Sequence, residues 1–365
     1  MPATAKSLVA RSAIKRDRQR IEDVLRKTLK NHRRSLENIP TLEPSLDNLF
    51  SMITNPGKRI RPLLFVGSYR AFCGNTSNDL PEHIEQIAAA LEIFHAFLLV
   101  HDDVIDQSTS RRGEPTLHKH IEMQHAVRPR NAECSAIVLG DILQGFVFEL
   151  LVHEDIESGL QRELIRYFSR MIQLTGAGEA LEIHLWDRPL PEVPESWIKS
   201  VYELKTALYT FESPLYLGAL LAGADAAVFK TIREASVPLG VAFQIENDLH
   251  EIGLDFEAFK DVAYDLKCGV KTLYLKRLYS RLSDSDQLFL ESVLAGSECA
   301  LEHQARLHRL LQSDAVQAHL ETEAMELFAQ AEAITAQFHG EPEQKAALKD
   351  LHDFILSNRK HSEAE

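Results

Sequence analysis

The sequence predicts an all-α protein. Apolar residues recur at helical spacing along almost the whole chain, and alternating strand-like patterns are scarce. Prolines and glycines fall mostly between long segments. No repeat, low-complexity tract or long linker divides the 365 residues. They read as one helical domain with a buried core of antiparallel helices, residues 41–365, preceded by a basic accessory helix within residues 1–40.

Each element follows from local signals. Ile14, Ile21, Val24, Leu25 and Leu29 mark an amphipathic surface helix over 11–37. A helix over 45–54 is stopped by Asn55-Pro56-Gly57. Pro62 sits early in the next helix, which runs to about Phe72 and ends at Gly74. A long helix over 82–106 starts after Pro81, and its stripe of Ile87, Leu91, Phe94 and Leu98 places it at the centre of the core. Further helices are expected at 131–152, 158–176, 177–186, 194–210, 213–224, 227–255, 262–280, 284–295, 299–311, 314–337 and 342–358.

Composition narrows the function. The net charge of -14 argues against a nucleic-acid partner, which needs a basic face. Cys73, Cys134, Cys268 and Cys299 are far apart and form no CxxC pair, so neither a zinc site nor a disulfide framework is indicated. A reducing, cytoplasmic setting fits. No apolar run reaches the length of a membrane span, and the longest candidate, 215–224, is short and followed by Asp225. The basic N-terminus from Lys6 to Arg34 lacks an apolar signal core. Asp17, Glu22 and Asp23 interrupt it, so it reads as a helix rather than a targeting segment.

The chemistry concentrates in the stretch LLVHDDVIDQSTSRRG, from Leu98 to Gly113. Asp102, Asp103 and Asp106 are spaced i, i+1, i+4, so Asp102 and Asp106 stack on one helix face with Asp103 beside them. Three such carboxylates repel one another unless a hard cation joins them, and oxygen-only ligands suit Mg²⁺ together with a substrate phosphate. Arg111 and Arg112 follow on a turn and point in different directions, suiting two anions. His95, two turns before Asp102, is either a phosphate donor or a satisfied core residue. Lys58, Arg59 and Arg61, beside Gly57, are either a phosphate cluster or a solvated basic loop. Lys205-Thr206 taken alone reads as surface. Asn247, Asp248 and Glu251 repeat the i, i+1, i+4 spacing, after Gln244. Two such acidic helices facing one cavity could hold several metals around one diphosphate. Asp265, Lys267, Lys271 and Thr272, with Lys260 before them, form a further polar stretch.

Taken together these motifs resemble the trans-isoprenyl diphosphate synthases, head-to-tail prenyltransferases. The resemblance rests on GKRIRP at 57–62, ExxHxxxLxHDDVID from Glu92 to Asp106 and RRGEPTLH at 111–118. It continues in KTA at 205–207, FQIENDLHE at 243–251 and DLKCGVKTL at 265–273, all in family order. It implies an isoprenoid synthase helical bundle around a deep central cavity, usually homodimeric, with 41–365 catalytic. It implies Mg²⁺, up to three ions, held by Asp102 and Asp106, with Asp103 assisting through water, and by Asn247, Asp248 and Glu251. Arg111, Lys205, Thr206 and Gln244 would hold the allylic diphosphate. Lys58, Arg61, His95 and Arg112 would hold isopentenyl diphosphate. Phe97 and Leu98, five and four residues before Asp102, would set chain length, and one aromatic there resembles a geranylgeranyl-length arrangement.

The sequence departs from the family pattern at the second motif, where Asn247 replaces the leading aspartate of DDxxD. Gly178-Glu179-Ala180-Leu181-Glu182 stands where a GQxxD-like segment is usual, and Val270 follows Gly269 where a lysine is expected. Asn247, Asp248, Glu251 and Asp255 also resemble the asparagine-led metal motif of class I terpene cyclases. A weakened second motif beside an intact first one would further suit a non-catalytic subunit of a heteromeric synthase. Arg359-Lys360 would form either a basic tail closing on a phosphate or a frayed end.

Overall fold

The computed structural model describes residues 5–36, 39, 42–74, 79–111, 113–253, 266, 268–296, 301–338 and 341–358, with backbone only for 5–13, 301, 302, 343, 347 and 358. Arg112, Asp255, Lys260, Asp265, Lys267, Cys299 and the Arg359-Lys360 pair lie outside the described residues.

The described chain is helical apart from one short hairpin. Its first helices are α1 (Ala5–Ser35), α2 (Glu43–Thr54), α3 (Ile60–Phe72) and α4 (Glu82–Ile105). The hairpin pairs β1 (Ser110–Arg111) with β2 (Glu114–Pro115) in antiparallel register, turning at Gly113 with φ +80°. Then come α5 (Leu117–His125), α6 (Pro129–Leu150), α7 (Ser158–Trp186) and α8 (Glu195–Tyr202). A π-helical segment, Glu203–Glu212, runs directly from α8 into α9 (Ser213–Leu221). The chain continues through α10 (Ala226–Ile252), α11 (Leu273–Tyr279), α12 (Asp284–Leu294), α13 (Leu301–Leu311), α14 (Asp314–Ala336) and α15 (Pro342–Asn358).

The sequence signals explain most boundaries. Asn55, ahead of Pro56, is extended at ψ 147° and ends α2. Gly74 takes φ +62° just past α3. The Asp225 carboxylate caps α10 by accepting from the amides of Ala227 (2.9 Å) and Val228 (3.2 Å).

Four expectations change. Residues 158–186 form one helix rather than two, and 117–125 form a helix that apolar periodicity had not marked. Among the described residues of 262–280, Leu266 and Cys268 are helical, 269–272 break the helix, and Leu273–Tyr279 form a new one begun by a Thr272 cap. Finally, α4 is long and apolar enough, by length and composition, to cross a membrane. However, 67% of its apolar window is buried inside the protein, as in a core helix.

The chain divides into two compact units: Met1–Arg166 with Leu217–Gly223, and Tyr167–Tyr216 with Ala224–Glu365. In the first, α4 packs chiefly on α6, with α1 and α3 against it. Ile21, Leu25 and Leu29 of α1 are all but fully buried. At about 1.5–3 kcal/mol each, they anchor this helix far more firmly than its surface ion pairs do. In the second unit α10 packs on α14 and on the π segment.

The contact between α10 and the π segment is as close as two backbones permit. A Cβ added at Gly240 would stand 2.2 Å from the Cα and Cβ of Ala207. Gly240→Ala therefore loses about 1–3 kcal/mol in chemical denaturation, because the clash outweighs the helix-propensity gain of about 1 kcal/mol. Gly176→Ala, which meets nothing within 4 Å, is the control and gains up to about 1 kcal/mol.

Candidate active site

In the first unit the site is built at the C-terminal end of α4. Ile84, Ile87, Ala88–Leu91, Ile93, Phe94, Ala96, Phe97 and Val100 bury most of the helix circumference. One face stays half-open: His95, Leu98, Leu99, Asp102 and Asp106. The sequence-predicted aspartates Asp102 and Asp106 thus share a face with His95 and Leu98. Phe97 points elsewhere and packs its ring against Phe94 (5.6 Å) and His101 (4.6 Å). His101 in turn meets the Ile137 carbonyl at 3.1 Å.

Asp103 is buried, at 1% exposure. Its Oδ1 accepts from Arg111 Nε at 2.8 Å and stands 2.6 Å from Nη2, which also approaches Asp102 Oδ2 at 3.6 Å. Its Oδ2 is buried with no hydrogen-bond partner. Burial pushes the Asp103 carboxyl up, against the Arg111 guanidinium, which lowers it. The hairpin delivers Arg111: Ser108 N donates to the Asp103 carbonyl at 2.9 Å, and Thr116 Oγ1 donates to the Ser108 carbonyl at 2.9 Å.

Carboxylates at a helix C-terminus face the negative end of the dipole. A cation offsets such charge, and the orphaned buried Asp103 Oδ2 fits one. The oxygen-only donor set suits Mg²⁺.

Of the three cations after Gly57, the middle one is structural. Arg59 adopts φ +51° and is 6% exposed. Its Nη1 donates to Glu92 Oε1 at 2.6 Å and its Nη2 to the Asn55 carbonyl at 2.7 Å. This ties the start of α3 to α4 one turn before His95. Lys58 and Arg61 flank it, both half-buried.

In the second unit the polar residues meet around the π segment. Ile198, Val201 and Tyr202 are buried on α8, and the same pattern returns nine residues later as Ala207, Thr210 and Phe211. Two α turns would return it after about seven. The wider turn keeps Lys205 off the apolar face, and π turns recur at functional sites for this kind of reason. Lys205 Nζ instead pairs with Glu179, at 2.6 Å, and with Glu182. Gly178 makes room, since a Cβ there would lie 2.7 Å from Leu204 Cβ.

Beside this pair runs a chain of hydrogen bonds. Thr206 Oγ1 donates to Gln244 Oε1 and Gln244 Nε2 to Asp248 Oδ1, each at 2.8 Å. Tyr202 OH donates to Asp248 Oδ2 and accepts from Leu273 N at 3.1 Å. Burial raises the Asp248 carboxyl to about 7, with the Tyr202 and Gln244 hydrogen bonds opposing and Glu182 adding to the rise. Asp248 is 6% exposed, whereas Asn247 is half-buried and Glu251 exposed.

Lys271 is also buried, its Nζ donating to the carbonyls of Trp186 (3.0 Å) and Gly269 (2.7 Å). Sequence reasoning did not single out Tyr202, and it read Arg59 only as one of three cations in a phosphate cluster or basic loop. It noted Glu179 and Glu182 only as departures from a pattern, although two acids three apart within reach of a lysine could have signalled the pair.

The Polyprenyl synthetase family model matches residues 43–310. The chain belongs to that family. Geranylgeranyl diphosphate synthase of Saccharolobus solfataricus is 30% identical over 283 residues, 77% of this chain and 79% of that protein. Geranylgeranyl diphosphate synthase of Sulfolobus acidocaldarius is 32% identical over 262 residues, covering 70% and 72%. Among solved structures, geranylgeranyl pyrophosphate synthase from Corynebacterium glutamicum, complexed with isoprenyl diphosphate and magnesium, superposes with a TM-score of 0.82. It covers 93% of this chain and 98% of that one at 24% identity, a likeness of fold. As a polyprenyl synthetase family member the chain is a trans-prenyltransferase, an isoprenyl diphosphate synthase.

Two measurements check the geometry of this family member's second unit. Tyr202→Phe leaves Asp248 Oδ2 and Leu273 N without their partner and costs about 1–3 kcal/mol in urea unfolding. Burial lowers the Lys271 ammonium from 10.5 to about 8, so between those values the unfolded chain holds more protons than the folded one. Stability carried by this group therefore rises with pH across that window. The melting temperature of Lys271→Met should lack this rise when subtracted from that of the wild type between pH 7.5 and 10, and parallel profiles would refute the assignment.

Proposed function

We propose that this prenyltransferase condenses isopentenyl diphosphate with an allylic diphosphate and releases a product of C15–C20 length. The observation that carries the reading is the end of α4, where Asp102 and Asp106 share one half-open face above the buried, partly unpartnered Asp103. In the first unit these three are the candidate Mg²⁺ ligands; in the second they are Asn247, Asp248 and Glu251, with up to three ions in all. When bound, Mg²⁺ stabilises the negative charge of a departing diphosphate.

The protein's own groups bind and orient the substrates. Lys58, Arg61, His95 and Arg112 are assigned to isopentenyl diphosphate and Arg111 to the allylic diphosphate. In the second unit Lys205, Thr206 and Gln244 are assigned to diphosphate binding, and Lys205 would trade its two glutamates for phosphate oxygens. Charge-assisted hydrogen bonds from such fixed cations favour the developing charge on the leaving group over the ground state. Cleavage of the allylic carbon–oxygen bond leaves a cation. The double bond of isopentenyl diphosphate attacks it, and loss of a proton to the released diphosphate restores an alkene. Leu98, on the Asp102 face, is placed to meet the growing tail. Phe97, about 140° around the helix, would limit it by supporting that face from behind.

Residues 1–40 are proposed as an accessory segment and 41–365 as the catalytic domain, acting as a homodimer in a reducing cytoplasm. The exposed side of α6 supports dimerisation. Cys134, Val138, Asp141, Gly145 and Phe148, with Val152 just past the helix end, are exposed at alternating spacings of four and three, with Val138 at 58%, Phe148 at 40% and Val152 at 60% exposure. Cys73, Cys134, Cys268 and Cys299 are far apart in the sequence and form no CxxC pair, which supports a reducing compartment.

The test is product sizing after incubating the purified chain and Mg²⁺ with isopentenyl diphosphate and each of the C5, C10, C15 and C20 allylic diphosphates. A longer, acid-labile diphosphate is expected. No elongation of any primer would sink the proposal. A hydrocarbon made without isopentenyl diphosphate would point to cyclisation, and activity only alongside a partner synthase to a subunit role. In the same assay Asn247→Asp is expected to raise turnover or lower the Mg²⁺ requirement, because a carboxylate binds Mg²⁺ more strongly than a neutral amide oxygen.

A further inference from the structure

Away from the diphosphate residues, the first unit gathers a second set of metal-ligating side chains. His83 lies in the first turn of α4, and His153 and Asp155 lie between α6 and α7. One ligand atom from each falls within 4.8 Å of the other two. The two imidazole centroids are 5.6 Å apart, with the rings inclined at 53°. Asp155 Oδ2 stands 3.6 Å from His153 Nδ1. Neighbouring ligands on a tetrahedral zinc ion stand about 3.4 Å apart. The His153–Asp155 pair already has nearly that spacing, and a shift of at most about 1.4 Å brings in His83.

A second observation points to a ligand. His83 Nδ1 is buried with no hydrogen-bond partner, a condition that buried polar atoms in folded proteins rarely tolerate. His153 is held in place, since its backbone N–H donates to Gln161 Oε1 at 3.1 Å and its Nδ1 accepts from the Asp155 amide at 3.1 Å. An ion on Nδ1 would replace that single N–H contact. Asp155 is exposed, which leaves one side open to water as a fourth ligand.

We propose that His83, His153 and Asp155 form a site for a borderline divalent transition metal, of which Zn²⁺ is the representative. Two imidazoles with one carboxylate select such ions over Mg²⁺. The site is separate from the diphosphate residues, because His83 and Asp102 stand about 28 Å apart along α4. Its effect is to pin the start of α4 to the connection that follows α6.

The test uses the full chain, stripped with chelator and held in millimolar Mg²⁺, with Zn²⁺ as the probe. Wild type is expected to bind one more Zn²⁺ per chain than His83→Ala, in competition with a chromophoric chelator. Its thermal midpoint should rise with Zn²⁺ while that of the variant does not. Changes behind a metal ligand already weaken binding about tenfold or more, so loss of a ligand should do no less. Asp155→Asn, at an exposed side chain that leaves the core intact, should show the same weakening with an unchanged circular dichroism spectrum. Equal Zn²⁺ binding by wild type and both variants would overturn the proposal, as would a zinc absorption-edge spectrum without imidazole scattering. Prenyl transfer in Mg²⁺ alone does not enter these readouts, so the two proposals fail independently.

Discussion

Carboxylates at the carbonyl end of a buried helix are the constraint on which the first unit depends. Asp102, Asp103 and Asp106 repel one another and oppose the dipole of α4, while the apolar circumference of that helix keeps bulk water away from most of it. Arg111 answers part of this charge from the hairpin. The hairpin, with its positive-φ glycine and the Thr116 hydroxyl closing it on Ser108, exists where that arginine has to be aimed. Arg59 plays a comparable part for Glu92. There a buried ion pair holds two helices in register, and removing either partner strands a charge at a cost of about 3–5 kcal/mol.

Both acidic motifs divide their labour in the same way. At i+1 the carboxylate is buried and tied to the protein itself, Asp103 by Arg111 and Asp248 by Tyr202 and Gln244. At i and i+4 the side chains are more open: Asp102 and Asp106 in one case, Asn247 and Glu251 in the other. A motif of this spacing is therefore one buried anchor and two more open positions. The asparagine falls on an open position, and the anchor of the same motif is intact.

Much of this could be read from the residues. Most of the helices follow 3.6-residue periodicity because their apolar faces are in fact buried, and the aspartate face of α4 follows from spacing alone. Other features could not be read. Nothing about the residue type says that Arg59, rather than Lys58 or Arg61, takes a left-handed backbone and turns inward. Nothing in the sequence marks Tyr202, because its hydroxyl matters only once α10 and α11 are placed beside it. Residues 117–125 were missed since only Leu117, His118 and Ile121 are buried there, too short a stripe to show a period. His83 and His153 are distant in the sequence and share no spacing rule, so a search for cysteine pairs passed over them.

The π segment carries one consequence for how relatives of this chain are compared. Its buried pattern advances by nine residues where an α-helix advances by about seven. Counted in α turns from Ile198, Lys205 would fall on the apolar stripe. Counted along the observed backbone, it falls on the polar side with Thr206. A homologue with one residue fewer between 203 and 212 would present a different side chain at the same depth without any substitution. Over this stretch, equivalence between chains follows hydrogen-bond register rather than residue count.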